Sequence, residues 1–202
     1  MVAGLLGNES SDSNRFTLVT PKSENDVRLQ ATLGNQNPTG LPVGVVRINK
    51  YFEDEEIKQN GLFYICSMIE RVARKLHQRN RYVVNAIGYE NLYHLISLAN
   101  VLHSENPDKV ACDWIKEYSL EEGTFDIMDV DQELCTIIPT PFDMGKVYTR
   151  LIVDTALTSE DYVSGMIRVY DDKICETIDF YTNGAFYEPS YVIARAYKEG
   201  EF

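Results

Sequence analysis

The side chains able to do chemistry are few and scattered. Glu90 and His94 lie four residues apart, so a helix would set them side by side with Ser97 near the same line, where they could share a metal ion or a proton. Helical zinc sites need two histidines at that spacing with a glutamate between them. Here there is one histidine, and a surface pair is the plainer explanation. His103 falls on the helical face of Leu92, Ile96 and Ala99, which aims it at a core or at the carbonyls of a helix end rather than at a ligand. His77 ends the preceding helical stretch in the same way, with Glu70 two turns earlier on a neighbouring line. Asp129-x-Asp131-x-Glu133 offers alternate oxygens like the start of a calcium loop, but Leu134 stands where the glycine belongs and Thr140 where the bidentate carboxylate belongs. That excludes an EF-hand and leaves the acids as general surface charge. There is no phosphate-cradling glycine loop, dinucleotide fingerprint or GxSxG elbow, and Val163-Ser164-Gly165 lacks the flanks of the last. No catalytic residue and no cofactor is expected. The rival reading is a small metal-dependent enzyme or metal-binding protein using Glu90, His94 and His103, or the Asp129–Glu133 cluster.

Charge is more distinctive than any motif. The chain carries a formal net charge of −12, a field that repels nucleic acid and anionic membranes. Residues 1–50 hold five bases against four acids, so the acidity belongs to the remainder. Those five bases are too diluted for nucleic-acid binding. Between Lys116 and Lys146 there is no base, while Glu117, Glu121, Glu122, Asp126, Asp129, Asp131, Glu133 and Asp143 accumulate. Tyrosine is also abundant, at 13 residues. The last third holds Tyr148, Tyr162, Tyr170, Tyr181, Tyr187, Tyr191 and Tyr197. Tyrosine joins a large, stiff contact area to a polar tip, which suits interfaces as well as helical cores. The acidic strip with Tyr187 and Tyr191 is the expected binding surface, and a basic protein its expected partner. Homo-oligomerisation is left open.

The elements that must position these groups read as helices. Leu62, Ile65, Cys66, Ile69, Val72, Ala73 and Leu76 recur at three- and four-residue steps, predicting a helix from about Glu53 to Gln78 with Arg71, Arg74, Lys75 and Gln78 on its solvated side. A turn through Tyr82-Val83-Val84 breaks at Gly88. Leu92, Leu95, Ile96, Ala99 and Leu102 then mark a second helix, ending near Ser104. Asn106-Pro107 signals a capped start for a third, which buries Val110, Ala111, Trp114, Ile115 and Tyr118. Thr124–Val130 and Leu134–Ile138 fit either a small hairpin or an irregular connector. After Pro139-Thr140-Pro141 a helix with Met144, Val147, Tyr148 and Leu151 is expected, then one capped by Ser159, a turn from Ile174 to Tyr181 stopping at Asn183-Gly184, and a last helix from Pro189-Ser190. The fold class is mainly α: a compact multi-helix bundle over 46–202, with an N-terminal helical half (46–121) and an acidic connector plus C-terminal helices (122–202).

Residues 1–45, rich in Asn, Ser, Gly, Pro and Thr, predict a loosely ordered arm with at most a short strand pair at Phe16–Val19 and Val27–Leu29. No stretch approaches the roughly 18 apolar residues of a membrane span, and the opening apolar run lacks the basic start of a signal peptide. Cys66, Cys112, Cys135 and Cys175 are too dispersed for a zinc or redox pair, which favours reduced, mostly buried thiols. A soluble, cytoplasmic protein is expected.

One resemblance bears on these expectations. Phe63-Tyr64-Ile65-Cys66-Ser67-Met68-Ile69-Glu70 with Ala73, then Tyr93-His94, Val101-Leu102-His103 and Asp113-Trp114-Ile115, make residues 62–118 resemble a small uncharacterised helical domain of bacterial proteins, often encoded beside putative toxins similar to ADP-ribosyltransferases. The resemblance covers under a third of the chain, rests largely on core positions, and supplies no active site. It implies a toxin–antitoxin or accessory setting. Together with the charge, it makes a non-enzymatic interaction module, antitoxin-like or an accessory subunit, the leading expectation.

Overall fold

The computed structural model of the chain describes residues 48–202. The arm expected over 1–45, with its two extended segments and its bases, lies outside the described residues. All the regular elements of the described chain are helical, with no strand among the described residues. Its helices are α1 (Gln59–Lys75), α2 (Asn80–Ser97), α3 (Ala99–Leu102), α4 (Pro107–Glu117), α5 (Pro141–Asp154), α6 (Tyr162–Asp171), α7 (Ile174–Ile178) and α8 (Ser190–Glu199). Two 3-10 turns, Tyr181–Asn183 and Ala185–Tyr187, link the last two.

α1 is the axis. It packs most extensively on α5 and also meets α2, α3 and α4, while α2 lies on α6 and α5 on α6 and α8. Being surrounded, α1 buries far more than one stripe: Gly61, Tyr64, Ser67, Met68 and Glu70 join the apolar positions in the interior. The approach of α5 is close enough that a Cβ on Gly145 would stand 2.0 Å from Ser67 Oγ. Only glycine fits that crossing.

Local signals account for most helix ends. Asn106 caps α4, its side chain accepting from the Asp108 and Lys109 amides, with Pro107 in the first turn. Such a cap stabilises by about 1 kcal/mol. Thr140 and Asp143 form a reciprocal capping box at the start of α5. Gly88 breaks α2 at φ 75, ψ 167, a combination essentially reserved for glycine.

The structure corrects several expectations. α1 begins at Gln59, not near Glu53, because Glu53–Lys58 holds no repeating apolar face to bury. The second helix ends at Ser97, with α3 as a separate turn. α6 is capped by Asp161, which accepts from the Val163 and Ser164 amides, whereas Ser159 sits in the left-handed region at φ 65. The stretches Thr124–Val130 and Leu134–Ile138, open between hairpin and connector, form an irregular loop without strands. Cys66, Cys135 and Cys175 are buried thiols and Cys112 is exposed.

Candidate functional sites: an exposed acidic loop and a buried acid pair

Seven of the eight acids of the strip, Glu117, Glu121, Glu122, Asp126, Asp129, Asp131 and Glu133, are exposed on the end of α4 and the loop that follows, and Asp143 is exposed in the first turn of α5. Asp126 and Asp131 also shape that loop, each carboxylate accepting an amide two residues on, from Met128 at 2.9 Å and Glu133 at 2.9 Å. Asp126 also lies 3.9 Å from His77 Nδ1. The side chains of Glu121, Glu122, Asp129 and Glu133 make no hydrogen bond among the described residues.

The loop runs against the 3-10 turns near the C-terminus. The Asp131 amide donates to Thr182 Oγ1 at 3.3 Å, and the Tyr187 hydroxyl reaches the Ile137 carbonyl at 3.4 Å. Leu134, Ile137, Tyr187 and Tyr191 are 69%, 65%, 61% and 70% exposed. The remaining late tyrosines pack inward: Tyr148, Tyr162, Tyr170 and Tyr181 are buried, and Tyr197 is half-buried. Tyr187 and Ile137 stand on the wall of a cleft of about 330 Å³, with Lys146 and Arg150 on its α5 side and Val147 and Ile193 among its apolar lining. The cleft and its two bases have no counterpart in the sequence reading, since residues from 137 to 193 meet only on folding.

The candidate ligands of the rival reading do not come together. Glu90 and His94 are exposed on α2, and the His94 ring lies 4.9 Å from the ring of Tyr51. His103 is exposed rather than turned to the core, because the chain leaves helical register between α2 and α3; its ring lies 4.3 Å from that of Tyr64. Among the described residues no three His, Cys, Asp or Glu side chains are grouped so as to hold a metal ion.

A second constellation lies at the centre of the fold, and sequence reasoning missed it. Glu70 of α1 and Asp179, just after α7, are 0% and 3% exposed. The two N–H bonds of the Asn80 amide bridge them, at 2.6 Å to Glu70 Oε2 and 3.1 Å to Asp179 Oδ1. Glu70 Oε1 accepts from Arg74 Nε at 2.6 Å and from the Tyr181 hydroxyl, while Asp179 Oδ1 also accepts from the Tyr148 hydroxyl. Arg74, expected on the solvated side of its helix, instead spends its remaining donors inside, on the Pro139 carbonyl at 2.7 Å and Tyr181 Oη at 3.0 Å. It is a largely buried counter-ion, its side chain 14% exposed.

Two carboxylates thus lie together in the interior, bridged by the Asn80 amide, and only Glu70 is paired with the Arg74 guanidinium. Burial, reinforced by the neighbouring Glu70, raises the Asp179 carboxyl to about 8 against the hydrogen bonds from Tyr148 and Asn80. Burial likewise holds the Tyr148 and Tyr170 phenols well above their ordinary value, with Asp179 adding to the first and Cys66 to the second. The Cys66 thiol is pushed up to about 12 by burial, with the Tyr170 and Thr149 hydroxyls opposing. None of the ionisable side chains of this cluster lines the cleft, which the cluster meets only at Pro139. It holds α1, α2, α5 and the C-terminal turns together, and a reacting substrate has no visible route to it among the described residues.

Compared with family models, with curated proteins and with solved structures, the chain matches none. No helix among the described residues is long and apolar enough to cross a membrane.

Proposed function

We propose that the chain is a protein–protein interaction module without chemistry of its own, and that it binds a basic partner through the acidic loop and the adjoining aromatic side chains. An antitoxin-like or accessory role in a bacterial setting is part of the same proposal. The observation that carries it is the junction between the two sequence features. Asp131 is tied to Thr182 and Ile137 to Tyr187, so the loop and the aromatic turn form one continuous surface. Its apolar side chains, Ile137 and Tyr187, stand next to acids that need not hold the fold together. Exposed aromatic area flanked by like charge is what a protein partner can cover, with the charge speeding encounter and the apolar contacts setting lifetime.

The test is purification of the tagged chain from its native cells at low and moderate salt, followed by kinetics with the recovered partner. The variant carries Glu121→Gln, Glu122→Gln, Asp129→Asn and Glu133→Gln, four acids whose side chains make no hydrogen bond among the described residues. Association at low salt is expected to slow about tenfold or more, with helicity and melting unchanged. A partner bound equally fast by this variant would refute the acidic surface. Recovery of no partner at either salt would count against the function as a whole.

A further inference from the structure

The residues between α6 and α8 are built from short elements only. They comprise a five-residue helix and two three-residue turns, too short to stand by their own backbone hydrogen bonds. Besides apolar contacts through Ile174, Ile178 and Phe186, and hydrogen bonds joining Cys175, Thr182 and Tyr187 to α6 and the acidic loop, this segment is held to α1, α2 and α5 through Asp179 and Tyr181. These two side chains end in the same acid cluster: Asp179 on Asn80 and Tyr148, Tyr181 on Glu70 and Arg74. The outer side of the segment carries exposed Phe180 and Tyr187 and the Thr182 hydroxyl that fastens the acidic loop.

We propose that one proton, held on Asp179 beside the Glu70–Arg74 ion pair, clamps the Ile174–Tyr187 segment to α1 and α2, and that the segment loosens as the solution becomes less acidic. The physical reason is charge balance. With Asp179 neutral, the buried Glu70 carboxylate is matched by Arg74; with Asp179 ionised, a second buried carboxylate has no ion pair of its own among the described residues, and the Arg79 charge offsets it only from a distance. Opening the segment lets Asp179 ionise in solvent. The ionisable and charged groups facing it are Glu70 from α1, Arg79 just before α2, Tyr148 from α5, Tyr170 from α6, and Cys175 and Tyr181 from its own stretch. Of these, Arg79 alone is a cation, and it already lies over the Phe125 ring, 4.0 Å from its centroid.

The sign follows from proton linkage. The open segment carries an ordinary aspartate with a value near 3.8, while the closed segment holds its proton up to about 8. Opening therefore releases a proton between those limits and should become about tenfold more frequent per pH unit, levelling off above pH 8. The consequence for partner binding rests on the interaction surface proposed above; the clamp itself does not.

Hydrogen exchange of the described protein, read by mass spectrometry from pH 5.5 to 7.5 and corrected for the intrinsic pH dependence of amide exchange, tests the clamp directly. Amides of residues 174–187 are expected to open about a hundredfold more often at the upper pH, whereas those of α4 (Pro107–Glu117) should be unaffected. Asp179→Asn keeps a carbonyl oxygen for the Asn80 and Tyr148 bonds but cannot ionise, so its profile should be flat to within about threefold. A flat wild-type profile overturns the proposal even if the variant does not fold. An equal slope in α4 also overturns it, by making the event global. Neither result would touch the surface proposed for partner binding.

Discussion

Replacing Arg74 by alanine would test whether the acid cluster is a structural keystone. Glu70 is fully buried, the Arg74 side chain is 14% exposed, and the two are 2.6 Å apart. Removing the guanidinium leaves a buried carboxylate with only the Asn80 and Tyr181 donors, and also frees the Pro139 carbonyl and the Tyr181 oxygen from its hydrogen bonds. Loss of one partner from a buried pair costs about 3–5 kcal/mol. Arg71 provides an internal control one turn earlier on the same helix. Its partner Asp108 is 73% exposed at 2.8 Å, and such a pair contributes about 0–1 kcal/mol. In urea denaturation with a slope of about 2 kcal/mol/M, Arg74→Ala should lower the midpoint by about 2 M and Arg71→Ala by less than about 0.5 M. Adding Glu70→Gln to Arg74→Ala should return about 1–3 kcal/mol, because the amide no longer carries a stranded charge. The reasoning is refuted if the two arginine variants lose the same stability, or if Glu70→Gln worsens Arg74→Ala.

Other consequences can be checked alongside. Gly145→Ala should cost about 1–2 kcal/mol despite the better helix propensity of alanine, since the new methyl collides with Ser67; Ser67→Ala in the same background should recover part of it in the same denaturation assay. Arg168 grips Glu160 with two hydrogen bonds of 2.8 Å and reaches the Tyr197 hydroxyl at 2.8 Å, tying α6 to α8. Burial would raise the Glu160 carboxyl, but these bonds outweigh it and hold it below its ordinary value. Its contribution is thus present above the ordinary glutamate range and lost as pH falls through the lowered value. Glu160→Gln should destabilise by about 1.5–3 kcal/mol at pH 7 and by progressively less as the pH is lowered below the ordinary glutamate range, measured by urea unfolding along that series.

What the sequence disclosed divides by range. Asn106-Pro107 and Gly88, and the start of a helix at Pro139-Thr140-Pro141, were legible because a cap or a break is decided within three or four residues. Ser159 misled because Asp161, two residues on, offers a carboxylate better placed to accept two amides, and a local rule cannot rank neighbouring caps. The acidic strip was legible because its charges are contiguous in the chain and too many to bury. The acid pair was not: Glu70 and Arg74 look like an ordinary i,i+4 surface pair until α5 and the C-terminal turns close over them. The decisive partner, Tyr181, lies 111 residues away. Asp179 carried no local sign of burial either. A signal was nonetheless present, in that Glu70 directly follows Ile69 on a helix whose apolar residues nearly encircle it, as befits a helix enclosed by others.

The central claim is that the acidic loop and the aromatic turn act as one surface. Hydroxyl-radical footprinting of the chain with its purified partner examines this most directly, because Met128, Leu134, Tyr187 and Tyr191 are all exposed and oxidisable in the free protein. The account predicts that Met128 and Leu134 of the loop and Tyr187 and Tyr191 of the turn and α8 are protected together, while exposed Tyr51 and Val101 are unchanged. Protection of Tyr51 or Val101, with the loop and both C-terminal tyrosines as reactive as in the free chain, would contradict it.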